Sequence, residues 1–429
     1  MTPTVSSIPG PETIARRVLS NGVVALARQN MTSPTVVIDG LIPVGSVAEP
    51  ASLAGLASFT ASLMTRGTER RSFAEINETV EGVGASISVV GGLHATSFSA
   101  ECLAEDLPTI LDVLADVLQH PTFPAEHVEK VRGQILTSIQ ERENDTRRMA
   151  GLAFRETVYP QHPYGRPLSG YRETVQAITR EDLVGFYRRR FRPQGGIVAI
   201  VGAVEPQEAL DQLEAMLGSW QPPAAPGDDG QPPLPEVLPP AGVQRKEVVM
   251  AGKSQADIVL GTVGLARRDP DYYAAHVANT VLGRFGLMGR LGERVREEQG
   301  LAYYAYSALE AGIGRGPWMA IAGVNPRNVA RAIASILEEI KRMRQEPVPP
   351  DELADVKSFL TGSLPLRLET NDGVADFLLD MEWYGLGLDY LHRYPDLINR
   401  VTADEVMAVV QKYLNPEAYV LAIAGPPEA

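Results

Sequence analysis

Apolar and polar residues repeat along this chain with two spacings, one typical of helices and one typical of strands. At Leu56, Phe59, Leu63 and Met64 the spacing is helical, which predicts a helix with one buried face. Runs of β-branched residues or of strict alternation predict strands instead. In the first half, the predicted helices are 106–118, 125–142, 150–158 and 179–190, and the predicted strands are 18–24, 35–44, 85–90, 94–103 and 196–202.

The second half of the chain repeats this order of elements. Its predicted strands and helices are a strand from 257, helices at 272–282, 329–344, 351–364 and 402–413, and a buried strand at 419–425. Between the halves, residues 221–241 are rich in proline and are predicted to form a semi-rigid linker. The sequence therefore predicts an α+β fold of two homologous domains, 1–220 and 242–429, each a mostly antiparallel sheet covered by helices.

Composition narrows the classes of partner. The chain has 429 residues, 44% of them hydrophobic and 21% charged, as in globular proteins with more than one core. A net charge of −14, spread along the chain, argues against a nucleic-acid partner. No stretch is apolar enough to span a membrane, and the first residues lack the basic and apolar parts of a secretory signal. We therefore expect a cytoplasmic protein without a membrane partner.

Several motifs resemble those of the pitrilysin-like zinc peptidases, especially their mitochondrial-processing-peptidase branch. The stretches that carry the resemblance are 55–68, 163–168, 174–183 and 296–303, which occur in the right order over nearly the whole chain. In that family, an H-x-x-E-H helix holds zinc, because two histidines one helical turn apart share one face. A glutamate on a later helix is the third ligand.

The positions that correspond to these ligands carry other residues in this chain. The two histidine positions are Ser58 and Ser62, the general base is Ala61, and the distal glutamate position is Ser138. Serine hydroxyls do not hold Zn²⁺ as imidazoles do, and alanine cannot act as a general base. The resemblance thus implies a degenerate zinc site, and we expect no metal and no other cofactor in this chain. From the residues alone, 55–67 is equally well an ordinary amphipathic helix.

The resemblance also implies two kinds of retained function. In active relatives, an arginine and a tyrosine seven residues later bind the substrate near the scissile carbonyl and stabilise the oxyanion, and Arg296 and Tyr303 match that spacing. By itself the spacing also fits a surface ion pair of Arg296 and a tyrosine in the core. Residues Ser86, Ile87, Ser88 and Val89 correspond to the edge strand on which such peptidases bind an extended peptide, although a plain sheet edge is an equal alternative.

These implications together indicate an inactive peptidase homologue that forms part of a peptidase complex. Its expected partners are a homologous zinc-bearing subunit, which would receive Arg296 and Tyr303 in trans, and a peptide substrate. The alternatives are a structural assembly protein and a peptide-binding clam-shell without a peptidase role. A homodimer of the isolated chain is also compatible with the sequence. New chemistry is poorly supported, because Ser58 and Ser62 have no nearby histidine in the sequence to activate them.

Overall fold

The computed structural model describes residues 8–221, 233–284 and 289–427. Up to residue 221 the elements are β1 (Ala15–Val18), β2 (Val24–Gln29), β3 (Thr35–Ile42), α1 (Leu56–Met64), α2 (Phe73–Gly82), β4 (Ser86–Gly91), β5 (Thr96–Leu103), α3 (Leu107–Gln119), α4 (Ala125–Glu143), α5 (Thr146–Val158), α6 (Arg172–Ala177), α7 (Arg180–Arg190), β6 (Ile197–Gly202) and α8 (Pro206–Leu217). Of the predicted linker, residues 222–232 lie outside the described residues.

The later elements continue this numbering. They are β7 (Gln244–Val249), β8 (Ala256–Val263), α9 (Tyr272–Asn279), β9 (Ala302–Leu309), β10 (Pro317–Val324), α10 (Val329–Gln345), α11 (Pro350–Gly362), α12 (Leu364–Arg367), α13 (Asn371–Trp383), α14 (Tyr390–Asn399), α15 (Ala403–Tyr413) and β11 (Val420–Gly425). Two π-helical segments, Thr280–Arg284 and Gly292–Glu298, lie between α9 and β9. Among the described helices, none combines the length and the hydropathy that spanning a bilayer requires.

The strands form two mixed sheets, and the order of the five-stranded sheet matches that of the six-stranded sheet without β1. The first order is β1-β2-β6-β3-β5-β4, and the second is β7-β11-β8-β10-β9. In each sheet the last strand of its half pairs in parallel with an early strand, β6 with β2 and β11 with β7, while the other pairs are antiparallel. This repeat confirms the prediction of two α+β domains with mostly antiparallel sheets.

One predicted strand, 18–24, is wrong. Residues 19–23 form the turn between β1, which ends at Val18, and β2, which begins at Val24. Gly22 has a φ of 91°, which favours glycine, and the side-chain amide of Asn21 donates to the carbonyl oxygen of Leu217 at 2.7 Å. Apolar residues on both sides of a tight turn therefore gave the appearance of one continuous strand.

The chain divides into two compact units, and each unit is discontinuous in sequence. The first comprises the described residues within 1–139, 167–233 and 364–393, and the second those within 140–166, 234–363 and 394–429. The predicted domains, 1–220 and 242–429, are continuous in sequence, whereas these units are not.

The segments that make the units discontinuous, 140–166 and 364–393, carry helices that cover sheet faces. In the first unit α13 packs against β3 and β6, and in the second unit α5 packs against β8 and β11. Every residue of β6 and of β11 is buried, so both faces of these central strands must be covered. Burial of an apolar face, rather than sequence neighbourhood, therefore decides to which unit each helix belongs.

Candidate functional site

The helix with the degenerate ligand positions, α1, begins at a buried carboxylate. The side chain of Glu49 is almost fully buried, with 4% of its surface exposed. Its two carboxylate oxygens accept hydrogen bonds from the backbone N–H groups of Gly55 at 2.9 Å and Ala57 at 2.8 Å. These N–H groups lack partners within the helix, and a negative charge at a helix N-terminus is favourable. The sequence does not single out Glu49, because this residue precedes the helix by several positions and follows no local capping pattern.

One side of α1 lies directly against the edge strand β4. At Gly91, an added Cβ atom would lie 2.6 Å from the Cα atom of Ser58, so only glycine permits this approach. The side chains of Phe59, Leu63 and Met64 are fully buried in the core of the first unit, as the helical periodicity predicts. The first degenerate position and the end of β4 are therefore immediate neighbours.

The four degenerate positions present hydroxyl groups and a methyl group. Ser58 and Ser62 are half-buried, Ala61 is buried, and Ser138 is exposed on α4. The hydroxyl of Ser62 donates to the carbonyl oxygen of Ser58 at 2.9 Å, so its proton is used within the helix. This donor set does not fit zinc, which takes imidazole, thiolate and carboxylate ligands. Within the described ranges, no group of three or more His, Cys, Asp and Glu side chains could hold a metal ion.

The predicted peptide-binding residues lie on an exposed sheet edge. β4 is the last strand in the order of the first sheet, where it pairs with β5. Ser86 and Ser88 are exposed, whereas Ile87 is half-buried and Val89 is buried against the core. The hydroxyl groups of Ser88 and Ser99 lie 2.8 Å apart across the strands. An edge strand presents backbone N–H and C=O groups that an extended chain can pair with.

Arg296 and Tyr303 both lie on the surface of the second unit. Arg296 belongs to the π-helical segment Gly292–Glu298, its side chain is 43% exposed, and its Nε atom lies 3.4 Å from Glu297 Oε1. Tyr303 is the second residue of the edge strand β9, and 62% of it is exposed. Arg296 thus forms the ion pair that the sequence left open, whereas Tyr303 is not a core residue. An exposed ion pair of this kind contributes only about 0–1 kcal/mol, so it does not by itself account for Arg296.

Side chains on the opposite face of β9 contact residues of α5. The guanidinium of Arg147 lies over the rings of Tyr304, at 4.7 Å, and Tyr306, at 5.4 Å. The hydroxyl of Tyr304 donates to the carboxylate of Asp257, which is fully buried and also accepts a bond from Thr146 at 2.5 Å. Burial, followed by this carboxylate, raises the pKa of Tyr304. These contacts hold the strand in place, and they leave the preceding Tyr303 on the surface.

Comparison with known proteins agrees with the fold and with these motifs. A family model described as "Insulinase (Peptidase family M16)" matches residues 23–172, and one described as "Peptidase M16 inactive domain" matches residues 177–360. The chain therefore belongs to the peptidase M16 family, which confirms the resemblance to pitrilysin-like peptidases.

Individual relatives extend over most of the chain. An uncharacterized zinc protease of Streptomyces coelicolor is 31% identical over 394 residues, which cover 89% of this chain and 83% of the relative. The mitochondrial-processing peptidase subunit beta of Mus musculus is 25% identical over 422 residues, which cover 96% and 84%. The crystal structure of a peptidase M16 inactive domain from Pseudomonas fluorescens has the same fold, with a TM-score of 0.88 at 24% identity over 97% of this chain and 98% of that chain.

Proposed function

We propose that this chain is the non-catalytic subunit of a two-chain M16 peptidase and supplies Arg296 and Tyr303 to a homologous, zinc-bearing partner. The observation that carries the proposal is an asymmetry between the two halves of the chain. The ligand positions on α1 hold hydroxyl and methyl groups, yet a phenol that is 62% exposed stands at Tyr303, where the family has a substrate-binding tyrosine. At this exposure the phenol of Tyr303 is accessible to a substrate bound by the partner chain.

The proposed contribution of this chain is binding and electrostatic stabilisation. The phenol O–H of Tyr303 and the guanidinium N–H groups of Arg296 donate hydrogen bonds to a peptide carbonyl oxygen as negative charge develops on it. Arg296 need not leave a buried partner, because its ion pair among the described residues is the exposed contact with Glu297. No metal step is assigned to this chain, in which we expect no bound zinc.

Two further observations support the proposal. One relative is named as a subunit of a processing peptidase, which makes a subunit role a natural one for a member of this family. The exposed edge of β4 gives a peptide substrate a strand to pair with beside α1.

The test combines this chain with a homologous partner that has an intact H-x-x-E-H motif, such as one encoded by a neighbouring gene. We expect peptide cleavage by the mixture and none by this chain alone. Tyr303→Phe, which removes only the hydroxyl group, and Arg296→Ala should each lower kcat/KM by about a hundredfold or more, with complex formation unchanged by size-exclusion chromatography.

Arg294→Ala is the matched control, because Arg294 lies on the same segment and is similarly exposed, at 40%. It should leave the rate unchanged. Association without any effect of the Tyr303 and Arg296 variants would refute the role in trans and favour the structural assembly alternative. Stoichiometric zinc together with cleavage by the isolated chain would refute the whole proposal.

A further inference from the structure

An open cavity lies in the first unit, between the segment that follows α1 and the start of α4. Its volume is about 440 Å³, within the usual range of small-molecule sites. One wall is formed by residues 66–73 and the other by residues 122–127. None of the four degenerate ligand positions and none of the β4 residues lines it.

The two walls are joined by the backbone and are therefore preformed. The N–H group of Glu69 donates to the carbonyl oxygen of His120 at 3.0 Å, and that of Thr122 donates to Gly67 at 3.0 Å. From α7, the guanidinium of Arg180 donates to the carbonyl oxygens of Thr122 at 2.9 Å and Phe123 at 2.7 Å. Phe123 has a φ of 51°, a backbone conformation that residues other than glycine rarely adopt. The surrounding structure must enforce it.

Two of the three arginines in the cavity wall are already neutralised. Arg70 pairs with Asp112 at 2.7 Å, and Arg71 pairs with Asp116 at 2.8 Å. Arg66 differs, because its guanidinium lies 4.8 Å above the ring of Phe73 and forms no ion pair within the described part of the chain. Its Nε atom is buried and has no acceptor there. The charge of the Arg66 guanidinium is therefore not neutralised by a carboxylate of the described residues.

The same cavity also contains carboxylates without cationic partners. Glu69 and Glu126 line it, and neither forms an ion pair with any residue that the structure describes. His127 packs against Phe73 with ring centroids 4.9 Å apart, and its Nδ1 atom is buried without a partner among the described residues. Within the described residues, the cavity therefore combines one guanidinium and two exposed carboxylates, none of them in an ion pair, with an aromatic surface.

A ligand that carries charge of only one sign would be repelled by part of this cavity. An anion at Arg66 is repelled by Glu69 and Glu126, and a cation at the carboxylates is repelled by Arg66. A molecule with both charges a few ångströms apart satisfies both sides. We propose that this cavity binds a free amino acid or a short peptide as its zwitterion, with the carboxylate at Arg66 and the ammonium group at Glu69 and Glu126. This site is independent of the function proposed above.

The test titrates the full chain with the dipeptide alanyl-alanine in isothermal calorimetry. We expect a dissociation constant on the order of 1 mM or lower, the range for a ligand of this size. Two modified dipeptides probe each charge separately. The C-terminal amide lacks the carboxylate and the N-acetyl form lacks the ammonium group, and each should bind at least about tenfold more weakly.

Variants assign each charge to its residues. Arg66→Gln should abolish the difference between the dipeptide and its amide, while the double variant Glu69→Gln and Glu126→Gln should abolish the difference between the dipeptide and its N-acetyl form. Arg188→Gln, at an exposed arginine on α7, is the control and should change nothing. Thermal melts verify that each variant is folded, and Arg66→Lys should retain part of the binding.

Three outcomes would overturn the proposal. The first is the absence of measurable binding of alanyl-alanine by the folded wild-type chain. The second is binding of inorganic phosphate as tight as that of the dipeptide, which would indicate a simple anion site. The third is undiminished dipeptide binding by Arg66→Gln.

Discussion

Asp39 offers a pH-dependent test of how α13 packs on the first sheet. It lies in the middle of β3, under α13, and its pKa is raised from the ordinary 3.8 to about 7. Burial is the largest cause, followed by the negative charges of Asp376 and Asp372 on α13 and of Glu101 on β5. The folded state thus binds this proton more tightly than the unfolded state, so the free energy of unfolding should fall as the pH rises from about 4 to about 7.

The expected size of the effect follows from the shift. Three pKa units correspond to about 4 kcal/mol for a fully buried group, but Asp39 is only partly buried. Solvent screening reduces the expected penalty to on the order of 1–2 kcal/mol above pH 7. Asp39→Asn keeps the shape and removes the charge, so it should stabilise the protein by this amount at pH 8 and by almost nothing at pH 4. For a domain of about 150–250 residues, each kcal/mol corresponds to roughly 2–4 °C in Tm.

The assay is urea unfolding of the wild type and Asp39→Asn at half-unit pH intervals from 4 to 8.5. The difference in free energy of unfolding should grow with pH and level off above about pH 7. Asp376→Asn removes one of the repelling charges and should shift the wild-type transition to lower pH. Glu78→Gln, at an exposed glutamate of α2, is the control and should show no pH-dependent difference. A difference that is constant with pH, or a variant less stable at pH 8, would refute this account of Asp39.

Two other substitutions test contacts within the individual units. Glu49→Gln weakens the acceptor for the N–H groups of Gly55 and Ala57. It should lower the free energy of unfolding, measured in denaturant melts, by about 1–3 kcal/mol. An unchanged midpoint would contradict the role of Glu49 at α1. Glu352→Gln removes the charge that pairs with the buried Arg290 through two hydrogen bonds of 2.9 and 2.7 Å. It should lower the free energy of unfolding by about 2–4 kcal/mol. A loss below about 0.5 kcal/mol, the size of a surface effect, would show that water replaces the pair.

Local pattern accounts for most of the secondary structure. The run of apolar residues at Ile197–Gly202 predicts a buried strand, and β6 is buried throughout. Thr402 caps α15 as its side chain accepts a hydrogen bond from the backbone N–H of Glu405, three residues later. Such features depend on residues only a few positions apart, so a short stretch of sequence is enough to predict them. The pair Asn21-Gly22 is a hairpin signal, but the flanking apolar residues continue the strand pattern across it, so the pattern predicts a strand where the turn at 19–23 lies.

The expectation that α1 holds no zinc likewise depends on the sequence alone. Hydroxyl and methyl groups at Ser58, Ala61, Ser62 and Ser138 remain poor ligands in any fold. What these residues are near, however, depends on the tertiary structure. Glu49 reaches the start of α1, and Gly91 brings β4 against Ser58, through contacts that no periodicity specifies.

Only the tertiary structure decided which distant segments share a unit. The sequence predicts continuous halves, whereas α5 covers the second sheet and α13 covers the first. For the same reason, Asp39 meets Asp372 and Asp376 across more than 300 residues of chain. Periodicity shows that a helix or a strand has an apolar face, but not which face covers it. That choice is made by the burial of complementary surfaces, which is independent of distance along the chain.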